Sequence, residues 1–335
     1  MDFLGKSGTL GDEQGGFCEG FSTLDHIFVL NAVVDIYLQR KQRIFCAFID
    51  YRKAFDLVDR SSLWIKHLRN GINGKIINVI YNLYKKAKSS VLIDGQISES
   101  FLCNIGVRQG ENISPVLFAI YLNDFELFVS RRYKGLSKLS SDAETYLSDD
   151  DVMVFLHLYV LLYADDTIVM AESPGELQKA LTAVYDYCDS WKLTVNTEKT
   201  KIVIFSRGKV RSHPVFLFGT NPIEVINSYV YLGVMFNYNN NFKNHLSRQI
   251  KLARRALFGI LSKTQHLQLS VDVQCQLFTS TILPIILYAC EIWGFEDLNQ
   301  IEIFQRNFIR NLLKLKPNTS RMISFWYKIV TGNNH

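Results

Sequence analysis

The chain has 335 residues, 48% hydrophobic and 21% charged, with a formal net charge of +5. This is the composition of a soluble globular protein of about two structural units, and the mild positive charge is compatible with a polyanionic partner without requiring one. No apolar run reaches the roughly 18 residues that a membrane helix needs; the longest, 282–289, is interrupted by Pro284.

Taken in chain order, Ile44-Phe45-Cys46-Ala47-Phe48-Ile49 is a continuous apolar run and predicts a strand buried on both faces. Helices are expected near 61–69 and 74–86, the second with Ile76, Ile77, Val79, Ile80 and Leu83 apolar. Asp94-Gly95 between Val91-Leu92-Ile93 and Ile97 reads as a hairpin turn. Ser114 is expected to cap a helix with Pro115 at its first position, running to about Phe128. The segment 139–151 is polar and acidic and reads as a solvated loop. A hairpin follows at about 155–170. Ser173-Pro174-Gly175-Glu176 forms a capping box, and Leu177, Ala180, Leu181, Val184, Cys188 and Trp191 then share one helical face. A strand at about 201–206 closes this part. The order strand, helices, hairpin, helix, strand is a split βαββαβ pattern, which sets the first strand beside the hairpin. Beyond 236 the pattern turns helical and basic, with Lys251, Arg254 and Arg255 interleaved with Leu252, Ala256, Leu257 and Ile260. A final helix is expected at about 299–315.

Six scattered cysteines contain no CxxC pair and there is no secretory signal pattern, so an intracellular, not secreted, chain with reduced packing cysteines is expected. Nuclear and cytoplasmic locations are not distinguished.

Two carboxylate sites stand out. Tyr163-Ala164-Asp165-Asp166 lies between the apolar stretches Leu158–Leu162 and Thr167-Ile168-Val169-Met170, and Asp50 ends the strand 44–49. Asp is common both in turns and at strand ends. Adjacent carboxylates amid apolar strands are also costly unless a cation neutralises them. Brought together, Asp50, Asp165 and Asp166 are the donor set for two Mg²⁺ ions roughly 3.5–4 Å apart, as used in phosphoryl transfer.

Phe48-Ile49-Asp50-Tyr51-Arg52-Lys53-Ala54-Phe55-Asp56 and Tyr163-Ala164-Asp165-Asp166 resemble motifs A and C of reverse transcriptases, most closely those of non-LTR (LINE-type) retrotransposons. Gly106-Val107-Arg108-Gln109-Gly110-Glu111-Asn112-Ile113-Ser114-Pro115 resembles motif B, Leu193–Lys201 motif D, and Tyr231-Leu232-Gly233-Val234 motif E, in family order. The stretches Thr281-Ile282-Leu283-Pro284 and Glu291-Ile292-Trp293-Gly294 resemble the thumb and post-thumb region.

The resemblance implies an α+β right-hand polymerase fold: partial fingers over 1–43, a palm over 44–236 and a helical thumb and post-thumb region over 237–335. It implies an RNA-directed DNA polymerase that adds dNTPs to a primer 3′-hydroxyl on an RNA template, using two Mg²⁺ ions with Mn²⁺ as a substitute. Asp50 and Asp165 would be the main metal ligands, supported by Asp166. Tyr51, Phe55, Gln109 and Gly110 would contact the nucleotide, with the Phe55 ring excluding a 2′-hydroxyl; plain core packing is the alternative for that ring. Lys199 would protonate the leaving group, with Lys201 as the alternative. Tyr163, Leu232 and Gly233 would hold the primer end, with plain hairpin packing the alternative for Tyr163, and Lys251, Arg254 and Arg255 the duplex phosphates, with a solvated cationic helix face the equal alternative.

The chain departs from the family pattern in one place. The stretch Gly16-Phe17-Cys18-Glu19-Gly20-Phe21-Ser22-Thr23 carries Cys18 and Phe21 where the family has arginines suited to phosphates. Arg52, Lys53 or Arg108 could compensate. A truncated or degenerate copy is therefore expected, lacking the upstream fingers. A catalytically inactive nucleic-acid-binding remnant remains an alternative, and an RNA-templated RNA polymerase a third. No membrane association is expected, and protein partners are unknown.

Overall fold

Strand β1, Ile44–Ile49, is buried along its whole length, as its unbroken apolar sequence requires. It is preceded by helix α1, Thr23–Gln39. The computed structural model describes residues 22–133, 136, 160–294 and 298–315. The stretch 16–21, the acidic segment 139–151 and the hairpin's first part, 155–159, lie outside them.

After β1 come α2 (Arg60–Arg69) and α3 (Gly74–Lys85), close to the expected helices. Four short strands follow: β2 (Lys88–Ser89), β3 (Leu92–Ile93), β4 (Gln96–Ile97) and β5 (Phe101–Leu102). Asp94 and Gly95, with φ of 48° and 81°, make the predicted turn between β3 and β4. Helices α4 (Ser114–Leu122) and α5 (Phe125–Ser130) occupy the place of one expected helix. The break has a tertiary cause. The Asn123 side chain donates to Asn70 Oδ1 over 2.7 Å, and Asp124 takes the Lys66 ammonium and the Tyr187 hydroxyl. Ser114 is the first helical residue rather than the cap. Its hydroxyl donates to the Arg108 carbonyl, which draws it away from the helix amides.

Strands β6 (Val160–Tyr163) and β7 (Asp166–Ala171) form the described part of the hairpin. Helix α6, Pro174–Trp191, begins at Ser173, whose side chain accepts from the Glu176 amide over 3.2 Å. Then come β8 (Lys201–Phe205), β9 (Phe216–Phe218), β10 (Asn221–Ile226) and β11 (Ser228–Tyr231). One six-stranded sheet has the order β6-β7-β1-β8-β10-β9. β1 is central and antiparallel to both β7 and β8.

Alternation along β1 divides its side chains between two faces. Phe45, Ala47 and Ile49 join the core with Leu117, Phe118 and Tyr121 of α4 and Leu177, Leu181 and Val184 of α6. Phe48 points the other way, stacked on Tyr229 with ring centroids 4.4 Å apart.

The chain divides into two units: Met1–Gly233 with Asn237–Asn240, and Val234–Phe236 with Asn241–His335. In the second, α7 (Lys243–Thr264) packs on the segments Leu283–Leu287 and Asn299–Leu312. Phe278 stacks on Phe308 at 4.1 Å inside it.

Candidate active site

The antiparallel register of β1 and β7 pairs Ile49 with Thr167 and Phe48 with Ile168. One step further along the same register, Asp50 stands opposite Asp166. The β6–β7 hairpin pairs Tyr163 with Asp166, so Ala164 and Asp165 form its two-residue turn. Ala164 carries a positive φ of 57°, a conformation that costs an L-residue energy and is common at functional sites. The sheet topology thus brings Asp50 to the adjacent pair Asp165 and Asp166, more than a hundred residues further along the chain.

Their electrostatics show the proximity. Burial pushes the Asp165 carboxyl above the usual carboxylate range, and the Asp50 charge adds to the shift. Asp166 is pushed up to about 6, first by crowding from the protein around it, then by Asp165 and Asp50. Its side chain still reaches solvent at the start of β7. Tyr229 is pushed up to about 12 by burial and by the charges of Asp166 and Asp50, which places its phenol in the same field. Carboxylates raised by burial and by neighbouring like charge form a donor set that a divalent cation relieves. All three donors are hard oxygen, the chemistry that suits Mg²⁺. Among the described residues, no three or more His, Cys, Asp or Glu side chains are drawn close enough to hold an ion unaided. Mg²⁺ in phosphoryl-transfer sites takes the remainder of its ligands from waters and substrate phosphates.

The segment after α6 straps Asp50 from behind. The Asp50 amide donates to Thr200 Oγ1 at 3.1 Å, and its carbonyl accepts from the Asn196 amide at 2.7 Å. Tyr51 forms a bridge with Val195, and the Arg52 amide donates to the Thr194 carbonyl at 2.7 Å. Thr200 is fully buried, whereas its neighbour Lys199 is exposed. Lys201 is committed elsewhere, with Nζ 2.6 Å from Glu224 Oε2.

The other predicted residues fall at several places. The Tyr51 ring lies in the core, 4% exposed, among side chains that include Cys188 and Tyr187. Phe55 is half-buried and stacked on Phe118 at 4.9 Å. Gln109 is exposed and donates to Asp56 Oδ1 over 3.0 Å. Gly110 has a φ of 85° with open space around it, so backbone conformation is what requires glycine there. The Tyr163 ring sits edge-on to His26 at 5.5 Å. Leu232 and Gly233 form a turn with φ of 44° and 88°. Lys251, Arg254 and Arg255 are exposed on α7 of the second unit. Of the residues offered as replacements for the missing arginines, Arg108 is ion-paired with Glu111 at 2.6 Å, while Arg52 and Lys53 are exposed.

Two residues of the site were not singled out from sequence: Thr200 and Tyr229. Thr200 lay inside the Leu193–Lys201 stretch, and only its position there could have drawn attention to it. Tyr229 carries no local signal, because its partner Phe48 comes from a distant segment.

The family described as reverse transcriptase (RNA-dependent DNA polymerase) matches residues 4–236. The chain is 24% identical over 285 residues to the RNA-directed DNA polymerase from mobile element jockey of Drosophila funebris, covering 82% of this chain and 29% of that protein. It is 24% identical over 321 residues to the probable RNA-directed DNA polymerase from transposon BS of Drosophila melanogaster, covering 92% of this chain and 33% of that one. The telomerase of Candida albicans, solved with a TWJ fragment of telomeric RNA, aligns at a TM-score of 0.47 and 13% identity over 96% of this chain and 56% of that chain. The chain spans about a third of the length of the curated relatives it matches. With the family matched over more than half its length, the chain belongs to the reverse transcriptases.

Proposed function

We propose that this chain is the RNA-directed DNA polymerase domain of a non-LTR retrotransposon, adding dNTPs to a primer 3′-hydroxyl on an RNA template. The observation that carries this reading is the convergence of Asp50, Asp165 and Asp166 at one end of the β1–β7 pair, where burial first, and then the neighbouring carboxylate charges, raise the carboxyls of Asp165 and Asp166. In this reading residues 44–236 are a split βαββαβ palm, 1–43 partial fingers, and 237–335 a helical thumb and post-thumb region.

Asp50 and Asp165 would hold two Mg²⁺ ions, with Asp166 in support. When bound, such ions activate an attacking oxygen and stabilise a leaving one. The chain's own groups would do the rest. Phe55, braced by Phe118, blocks a 2′-hydroxyl. Gln109 and the Gly110 backbone face the nucleotide, beside the Tyr51 backbone. Lys199, exposed and beside the strapped Asp50, delivers a proton to the leaving pyrophosphate, which is worth roughly 10²–10⁴-fold in rate. Tyr163, Leu232 and Gly233 hold the primer end, and Lys251, Arg254 and Arg255 contact backbone phosphates. Among the described residues, no helix is long and apolar enough to cross a membrane.

A second reading, a nucleic-acid-binding remnant without catalysis, draws on the Arg108–Glu111 ion pair, which neutralises one of the cations available to a triphosphate. Primer extension with dTTP on poly-rA/oligo-dT in Mg²⁺ separates the two. Extension supports the polymerase; salt-sensitive duplex binding with no incorporation supports the remnant.

A further inference from the structure

Arg60 is the first residue of α2, and its half-buried side chain donates to backbone carbonyls rather than to a carboxylate. Nε donates to the Gly106 carbonyl at 2.8 Å. Nη1 donates to the carbonyls of Cys103 at 2.6 Å and Tyr84 at 3.1 Å, and Nη2 to that of Ile105 at 3.2 Å. The guanidinium carbon lies 5.0 Å from the centre of the Tyr84 ring. Among the described residues Arg60 forms no ion pair. A planar fork of donors can serve several fixed carbonyls at once, which an ammonium cannot match.

The loop it holds is the one that carries Gln109. Gly106, at a φ of 78°, has no room for a side chain: a Cβ would stand 2.4 Å from the Asp56 carbonyl oxygen. Its amide donates to the Val58 carbonyl at 2.9 Å, and the Val107 amide to the Phe55 carbonyl at 2.8 Å. Gln109 then reaches Asp56. The segment 55–58, bearing Phe55, and the segment 103–109 are therefore fastened side by side. A cavity of about 710 Å³, lined by Lys88, Phe101 and Asn104 among others, opens beside the loop. Side-chain packing is thus missing on that flank, and Arg60 supplies the restraint.

We propose that Arg60 is a positioning residue for the incoming nucleotide, setting the spacing between Phe55 and Gln109 and thereby the KM for dNTP and the discrimination against rNTP. This rests on the polymerase reading above.

The test is steady-state primer extension on poly-rA/oligo-dT with wild type, Arg60→Ala and Arg60→Lys, dTTP against UTP. Both variants are expected to raise the KM for dTTP by about tenfold or more, to narrow the preference for dTTP, and to keep kcat within about threefold. Primer–template affinity and melting temperature should stay near wild type for Arg60→Lys, which keeps the charge and guards against loss of folding. Methylguanidinium, admitted through the cavity, should partly restore the KM of Arg60→Ala. An unchanged KM in both variants overturns the proposal, as does an equal fall in kcat, duplex binding and thermal stability. Hydrogen exchange at the amides of Gly106 and Val107 supplies a second readout. Arg60→Lys should speed it about tenfold, and unchanged exchange overturns the proposal even if the wild type extends no primer. No extension by wild type refutes the polymerase reading alone.

Discussion

The hydroxyl of Thr200 accepts the backbone amide of Asp50 at 3.1 Å, so a residue 150 positions away holds the strand-end carboxylate in place. With the Asn196 amide on the Asp50 carbonyl, both backbone polar groups of Asp50 are tied to one turn.

Replacing Thr200 by Val keeps the shape and leaves the Asp50 amide without a partner. The expected cost is about 1–3 kcal/mol of stability, with a fall in kcat that exceeds any change in nucleic-acid affinity. Thr200→Ser should recover most of both. Denaturant unfolding and single-turnover extension measure the two effects.

Lys199 and Lys201 separate by their surroundings. Lys201 is held by Glu224 and Lys199 is exposed. Lys199→Ala should lower kcat about 10²-fold, whereas Lys201→Ala should change it less than about threefold. Single-turnover rates with saturating dTTP decide between them, and the reverse order would assign the proton donor to Lys201.

His26 makes stability depend on pH. Its ring is buried against Tyr163, its Nδ1 has no hydrogen-bond partner, and burial lowers its pKa from 6.5 to about 4, offset in part by Asp25. Between those values the unfolded chain takes up a proton that the folded chain does not. This contribution is therefore complete above pH 6.5 and is lost as pH falls through about 4. From pH 7 to 5 it amounts to roughly 2 kcal/mol. His26→Phe should lose correspondingly less stability over that range in melts at the two pH values. Equal losses in both proteins would contradict the assignment.

Lys66 is 1% exposed and pairs with Asp124, whose own side chain is 40% exposed. The Lys66 ammonium also donates to the Tyr187 hydroxyl at 2.7 Å and lies 3.8 Å from the centre of the Trp191 ring. Burial lowers its pKa to about 8 despite Asp124. Asp124→Ala strands this cation between α2, α5 and α6. It should cost about 3 kcal/mol, the lower end for a broken buried pair because Asp124 is half open to water. Urea unfolding of Asp124→Ala beside Lys66→Met gives the value, and Lys66→Met should be the milder change.

What was legible in the sequence was whatever is written locally. The run 44–49 declares a buried strand because every residue in it is apolar, and Ser173 declares the start of α6 because a hydroxyl directly before a proline and three residues before a glutamate is capping chemistry. The pairing of β1 with the hairpin followed from element order. Ser114 misled because its hydroxyl serves the Arg108 carbonyl, and the break before α5 was hidden because Asn123 and Asp124 answer to Asn70 and Lys66. Thr200 and Arg60 act through backbone groups far away in the chain, and neither residue type announces such a partner.

The most direct measurement is incorporation of dTTP and of UTP on poly-rA/oligo-dT in Mg²⁺, with wild type beside Asp50→Asn, Asp165→Asn and the Asp165→Asn/Asp166→Asn double variant. Extension with dTTP far above UTP, abolished in all three variants while each still binds the duplex, is the predicted result. Extension that survives loss of these carboxylates, or folded wild-type protein that binds the duplex and adds no nucleotide, would contradict the account.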